Sequence, residues 1–247
     1  MTQTTLIERY QTVIAHIKQL SHQYRQDETA VQLIAVSKTF PSADIRTLYQ
    51  QGQRHFGENY IQEWTQKTEE LADLDIEWHI IGQIQSNKSR VVAEKAAWVH
   101  TLDREKIARR LSEQSPPQSP ALNVCIEVNT SGSSDKHGVT ADNVLALAQQ
   151  VAALPQLRLR GLMCVPSHPE DAQQLNQEFA LMQQLFKGLQ AAGLDVDTLS
   201  MGMSADMEQA IAAGATHVAR ELSLVSARPH DSAVQNKQDA PGDTRAA

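Results

Sequence analysis

VQLIAVSK (31–38) is an apolar, β-branched run closed by a lysine, and the alternation it begins decides the fold. Pro41 and Ser42 open a helical segment running to Gly52, since proline is tolerated in a helix's first turn. RHFG (54–57) is extended again, and the helix NYIQEWTQKTEELADL follows it. EWHIIG (77–82) precedes a helix from Ser86 to Ala97, and WVHTL (98–102) precedes REKIARRLSEQ, with Asp103 placed to cap it. LNVCIEV (122–128) leads into a polar loop and ADNVLALAQQVAALP, and LRLRGLMCV (157–165) into a long helix over 168–192. VDTLSM (196–201) precedes ADMEQAIAAG, with Ser204 as its cap, and ATHVARELSLV supplies an eighth extended run.

Strands apolar on both faces, each followed by a helix, imply a parallel sheet with right-handed crossovers. Eight such units in ~200 residues fit a closed α/β barrel of the (β/α)8 type better than an open sheet. No G-x-G-x-x-G follows the first strand, as a doubly wound nucleotide fold would require. Upstream, Leu6, Ile7, Tyr10, Val13, Ile14 and Ile17 recur at helical spacing and predict an extra N-terminal helix. The expected organisation is one barrel domain over 1–228. The polar, aperiodic residues 229–247 are expected to be a disordered tail.

The composition narrows the function. The 247 residues carry a formal net charge of −7, which disfavours a phosphate-backbone partner and so nucleic acid. With no run of ~18 apolar residues, no transmembrane helix is expected, and the charged N-terminus does not read as a signal peptide. Cys125 and Cys164 sit in apolar runs and read as reduced core residues. A monomeric, cytoplasmic protein is expected.

Lys38 is the most informative residue. It follows the first strand, whose carboxyl end opens on the functional face of a barrel. An amine emerging there from an apolar floor can attack an aldehyde and form a Schiff base; the plain alternative is a lysine reaching for solvent. Asn59, His79, Asn129 and Ser200 add polar groups near other strand ends. The turn L-S-M-G-M-S (199–204) joins the seventh strand to a helix, with hydroxyls at Ser200 and Ser204 and close backbone approach at Gly202. Such a turn suits a phosphate. A reactive lysine and a phosphate turn close together around a barrel point to pyridoxal 5′-phosphate (PLP), although sugar-phosphate aldolases use similar elements.

LIAVSKTFP, HFGENYIQE, EWHIIGQIQSNK, LNVCIEVN, DKHG, LRGLMCVP and LSMGMSADMEQAIAAG run in order from residue 31 to 218. With these pieces the chain resembles the pyridoxal phosphate homeostasis protein family, related to the N-terminal barrel of alanine racemase. The resemblance implies PLP as cofactor, held as a reversible aldimine on Lys38. It implies a phosphate turn at Ser200, Met201, Gly202 and Ser204, and pocket roles for Asn59 and His79. Lys136 matches a second family lysine associated with handling of the cofactor. It also implies a role in vitamin B6 homeostasis without turnover, with apo PLP-dependent enzymes as recipients.

Two departures stand out. Where the family reads R-I-G-T-A-I-F-G-A-R, this chain reads AREL SLVSAR (219–228). Aligned without gaps, the arginine that faces the pyridine nitrogen is lost; a one-residue shift makes Arg220 its candidate replacement. Glu221 would repel a phosphate dianion, so weakened cofactor binding and a poorly formed eighth strand are expected. Second, Phe40 stands where the family often has a lysine, which predicts a more apolar entrance. Two other functions fit the residues: a racemase-like PLP enzyme, which needs a second base, and a regulatory module with weakened PLP binding.

Overall fold

The computed structural model describes residues 3–25, 31–167 and 170–221. Its strands are β1 (Gln32–Val36), β2 (His55–Glu58), β3 (Glu77–Ile80), β4 (Trp98–Leu102), β5 (Leu122–Glu127), β6 (Leu157–Met163), β7 (Thr198–Ser200) and β8 (His217–Glu221). They pair in chain order, all parallel, and β8 returns to β1 to close a barrel. The helices are α1 (Gln3–Tyr24), α2 (Ser42–Gln50), α3 (Ile61–Glu70), α4 (Ser89–Lys95), α5 (Glu105–Gln114), α6 (Val144–Ala152), α7 (Ala172–Ala191) and α8 (Met207–Ala212).

The main core lies between strands and helices. Leu33, Phe56, Ile80, Val99, Val124 and Leu162 are buried against residues such as Ile45, Trp64, Val92, Leu111, Leu175 and Ile211. The barrel interior is different. Besides Ile34 it carries His79 and His100 at 0% exposure, with Trp98, Cys125 and Met163 as a small apolar cluster. Arg160 lies over the Trp98 ring, 4.5 Å from its centroid, and is held bidentately by Asp197 at 2.9 and 2.8 Å. Both cysteines are buried and free.

The eighth strand corrects an expectation. β8 is well formed through Glu221, in five-position register with β1 from Gln32↔His217 to Val36↔Glu221. A parallel ladder is made by backbone groups, so the unusual side chains do not prevent it. The seam between β7 and β8 is much shorter, with Ser200↔His217 as its one register pair. The expected tail at 229–247 lies outside the described residues, as do Leu222, Ser223 and Arg228.

Two expected helix caps are also corrected. Ser204 sits in an exposed turn and α8 starts only at Met207. That turn is organised by the buried Asp206 carboxylate, which accepts from Met203 N–H at 2.5 Å. Arg104, not Asp103, occupies the N-cap position of α5. The cap with side-chain bonds is at α7, where Asp171 accepts from Gln173 and Gln174 N–H at 3.0 Å each.

Candidate functional site

The carboxyl ends of the strands surround a cleft that opens to solvent. Lys38, two residues past β1, lines it together with Val36, Asn59, Ile81, Met163, Cys164 and Val165. The turn after β7 contributes Ser200, Met201, Gly202 and Met203, and β8 contributes Ala219 and Glu221. Thus Lys38, Asn59, Ser200, Met201 and Gly202 come together as expected from the sequence.

The backbone carrying Lys38 is pinned on both sides by a buried ion network. Lys67 Nζ on α3 donates to the Ser37 carbonyl at 2.6 Å, and contacts Glu58 Oε1 and Glu63 Oε1 at 2.7 Å each. Ser37 Oγ donates to Glu58 Oε1 at 2.7 Å, and Thr39 N–H to Glu63 Oε1 at 2.6 Å. Thr39 has φ +64°, an uncommon conformation for a β-branched residue. Burial pushes the Glu58 carboxyl up, while hydrogen bonds from Lys67 and Ser37 oppose that rise. Lys67 gave no sign of this role in the sequence, where it reads as a surface helix residue.

Lys38 itself meets Glu221 in a direct ion pair. The lysine side chain is 32% exposed and the glutamate 17%. An ammonium held by a carboxylate has no lone pair to offer an aldehyde. Glu221, expected to face a phosphate, lies instead against the amine.

In the turn after β7, Gly202 adopts φ +102°, and a Cβ there would come 2.5 Å from Ala210 Cβ. Only glycine brings the turn this close to α8. The buried Asn59 Oδ1 has no hydrogen-bond partner. Asn59 does not cap α3, whose N-cap position is Tyr60.

Three expected site residues lie elsewhere. Arg220 faces the outside of the barrel, lining a groove with Thr5, Arg9 and Val13 of α1. The reason is strand alternation: Ala219 and Glu221 take the cleft side of β8, so the residue between them points away. Ser204 lines a neighbouring hollow with Val165, Pro166 and Asp206. His79 is sealed inside the barrel and reaches the cleft only through other residues. Its Nδ1 lies 2.8 Å from His100 Nε2, and His100 Nδ1 lies 2.8 Å from Ser200 Oγ. Burial and neighbouring imidazoles lower the pKa of His79, and that of His100 falls to about 3.

Two further residues also depart from expectation. Phe40 is buried, beside Ile45, Leu48 and Phe56 under α2, so it does not make the entrance apolar. The exposed Val165 and Met203, which line the cleft, do that instead. Lys136 is exposed in the loop after β5 and does not line the cleft.

The family model of the alanine racemase N-terminal domain matches residues 11–220, which sets the class of protein. The chain belongs, within that class, to the pyridoxal phosphate homeostasis protein family. It is 47% identical over 227 residues to the Pyridoxal phosphate homeostasis protein of Pseudomonas aeruginosa, covering 92% of this chain and 97% of that one. To the Escherichia coli protein of the same name it is 46% identical over 206 residues, covering 81% and 87%. Among solved structures, PipY of Synechococcus elongatus with PLP bound superposes with TM-score 0.75 at 34% identity, covering 89% of this chain and 99% of that one. Alanine racemase from Corynebacterium glutamicum shares the fold, with TM-score 0.64 at 14% identity over 85% of this chain and 59% of the enzyme.

Proposed function

We propose that this chain holds pyridoxal 5′-phosphate reversibly in the cleft, covalently on the Lys38 nitrogen, as a cofactor reserve without turnover. The observation that carries the reading is the placement of the Lys38 amine in one cleft with the Ser200–Gly202 turn. Relatives named for PLP homeostasis, and a structural neighbour with PLP bound, support it.

The residues present fit the group. Bound there, PLP supplies an aldehyde whose carbon the Lys38 nitrogen can attack. Ser200 offers a hydroxyl at the turn where a phosphate would lie, and the unpartnered Asn59 Oδ1 offers an acceptor to a donor group of the ligand elsewhere in the cleft. Met163, Val165 and Met203 supply apolar surface for a ring. Glu221 is the one lining residue that opposes loading, by occupying the amine.

The absence of turnover rests on the acid–base inventory. Proton exchange on both faces of a substrate carbon needs two carriers. Besides Lys38, the titratable side chains lining the cleft are Cys164 and Glu221. Burial pushes the Cys164 thiol far up, and Glu221 is tied to Lys38. The open, apolar-rimmed mouth suits passage of the cofactor to apo PLP-dependent enzymes. Among the described residues no helix is long and apolar enough to cross a membrane; we place the protein in the cytoplasm as a monomer.

The test is to incubate the protein with PLP, reduce with borohydride and map the modified lysine by mass. A single pyridoxyl adduct on Lys38, absent from Lys38→Ala, is expected. Modification spread over surface lysines alone would overturn the reading. Sustained racemisation that disappears in Lys38→Ala would establish an enzyme instead.

A further inference from the structure

The barrel interior contains a continuous line of imidazoles that binding of an aldehyde does not require. His55, at the amino end of β2, has Nδ1 3.0 Å from His79 Nε2. His79 Nδ1 lies 2.8 Å from His100 Nε2, and His100 Nδ1 lies 2.8 Å from Ser200 Oγ, at the carboxyl end of β7. The line therefore crosses the barrel from its amino-terminal face, where His55 is 21% exposed, to the cleft. His79 and His100 within it are wholly buried.

Burial lowers the pKa of all three rings, which keeps them neutral at physiological pH. A neutral imidazole has one N–H and one bare nitrogen. A fully bonded line therefore has two arrangements, with every N–H directed toward Ser200 or every N–H directed toward His55. They differ in what the cleft meets. When the protons point toward His55, the Ser200 hydroxyl spends its hydrogen on His100 and presents only lone pairs. When they point toward Ser200, His100 Nδ1–H donates to Ser200 Oγ and the serine hydrogen is free.

A phosphate dianion only accepts hydrogen bonds, so it requires the second arrangement. The constraint then runs through every link. A donating Ser200 requires His100 Nδ1–H, which leaves His100 Nε2 bare and requires His79 Nδ1–H. That in turn leaves His79 Nε2 bare and requires His55 Nδ1–H. We propose that His55, His79 and His100 are positioning residues whose aligned tautomers turn the Ser200 hydroxyl into a phosphate donor. A phosphorylated ligand in the cleft thereby fixes the hydrogen position on a histidine at the far face. The proposal rests on the reading of the cleft as a PLP site, and extends it to selection of the phosphorylated over the unphosphorylated vitamer.

The experiment compares PLP with pyridoxal, which has the aldehyde without the phosphate. Long-range proton–nitrogen spectra of the full-length, ¹⁵N-histidine-labelled protein report each ring's tautomer. PLP is expected to give Nδ1–H forms at His79 and His100, and pyridoxal to leave the free-protein pattern unchanged. In parallel, His100→Leu is expected to bind PLP about tenfold more weakly, the scale of one charge-assisted hydrogen bond, with pyridoxal affinity unchanged. A merely structural role would lower both affinities together. If His100→Leu does not fold, the wild-type spectra decide alone. PLP trapped on Lys38 with tautomers indifferent to the phosphate overturns the relay and leaves the binding reading intact. Failure to trap PLP on Lys38 overturns both.

Discussion

Lys67 Nζ lies 2.7 Å from Glu58 Oε1, both side chains nearly or wholly removed from solvent, and the same ammonium grips the carbonyl of the residue preceding Lys38. An ion pair this deep is costly to break from one side, because the surviving charge keeps its desolvation penalty without its partner. Lys67→Met is therefore expected to lower unfolding stability by about 3–5 kcal/mol. Urea denaturation measures it. Loss of the clamp also frees Ser37 and Thr39, so borohydride fixation of PLP on Lys38 should slow. A fixation rate equal to wild type would show that the clamp is not needed to present the amine.

On the proposed reading, Glu221 competes with the cofactor for the Lys38 nitrogen it now pairs with. In Glu221→Gln the amine loses its carboxylate, and PLP affinity should rise about fivefold, the scale of a pair worth roughly 1 kcal/mol. Equilibrium titration of the visible absorbance checks this. An unchanged affinity would remove Glu221 from the balance, and a weaker one would show that it assists loading.

Acid should loosen the fold through its interior histidines. His100 and His217 have pKa values depressed to about 3 and about 4, in each case chiefly by burial. The unfolded chain takes up these protons near pH 6.5, whereas the folded chain does not until far lower pH. Stability is thus fully present above about pH 6.5. Below that it falls by about 1.4 kcal/mol per pH unit per histidine, until the folded pKa values are reached. Urea midpoints at pH 7, 6 and 5 should decline, and the decline should be smaller in His217→Asn.

Gly202→Ala combines an unfavourable φ with a methyl placed against Ala210. A loss of about 1–3 kcal/mol is expected, with weaker PLP binding because the turn and α8 must separate. Thermal melting and the same absorbance titration test the two parts independently.

The strands were legible because parallel strands between helices are apolar on both faces. WVHTL became β4 at the predicted residues, and the remaining strands differ only at their ends. Lys38, Asn59 and the Ser200–Gly202 turn were legible because barrel chemistry gathers where strands end. The histidine line was not, since His55, His79 and His100 lie on three strands and only the register aligns them. Arg220 was misplaced because the motif was followed while the two-residue alternation of a strand was not. The eighth strand was doubted from side chains when backbone pairing governs it. Ser204 was read as a cap because serine favours that position, whereas the turn is closed by Asp206, two residues later.

The short seam between β7 and β8 carries a last implication. A cylinder parts most easily at its least-stitched joint, and here that joint borders the very turn to which we assign the phosphate. A molecule seated there would act as a rivet as well as cargo, so the emptied form should breathe along this line first. Amide deuteration at Leu199–Met201, quick before loading and slow after it, would make the vitamin a structural part of its own container.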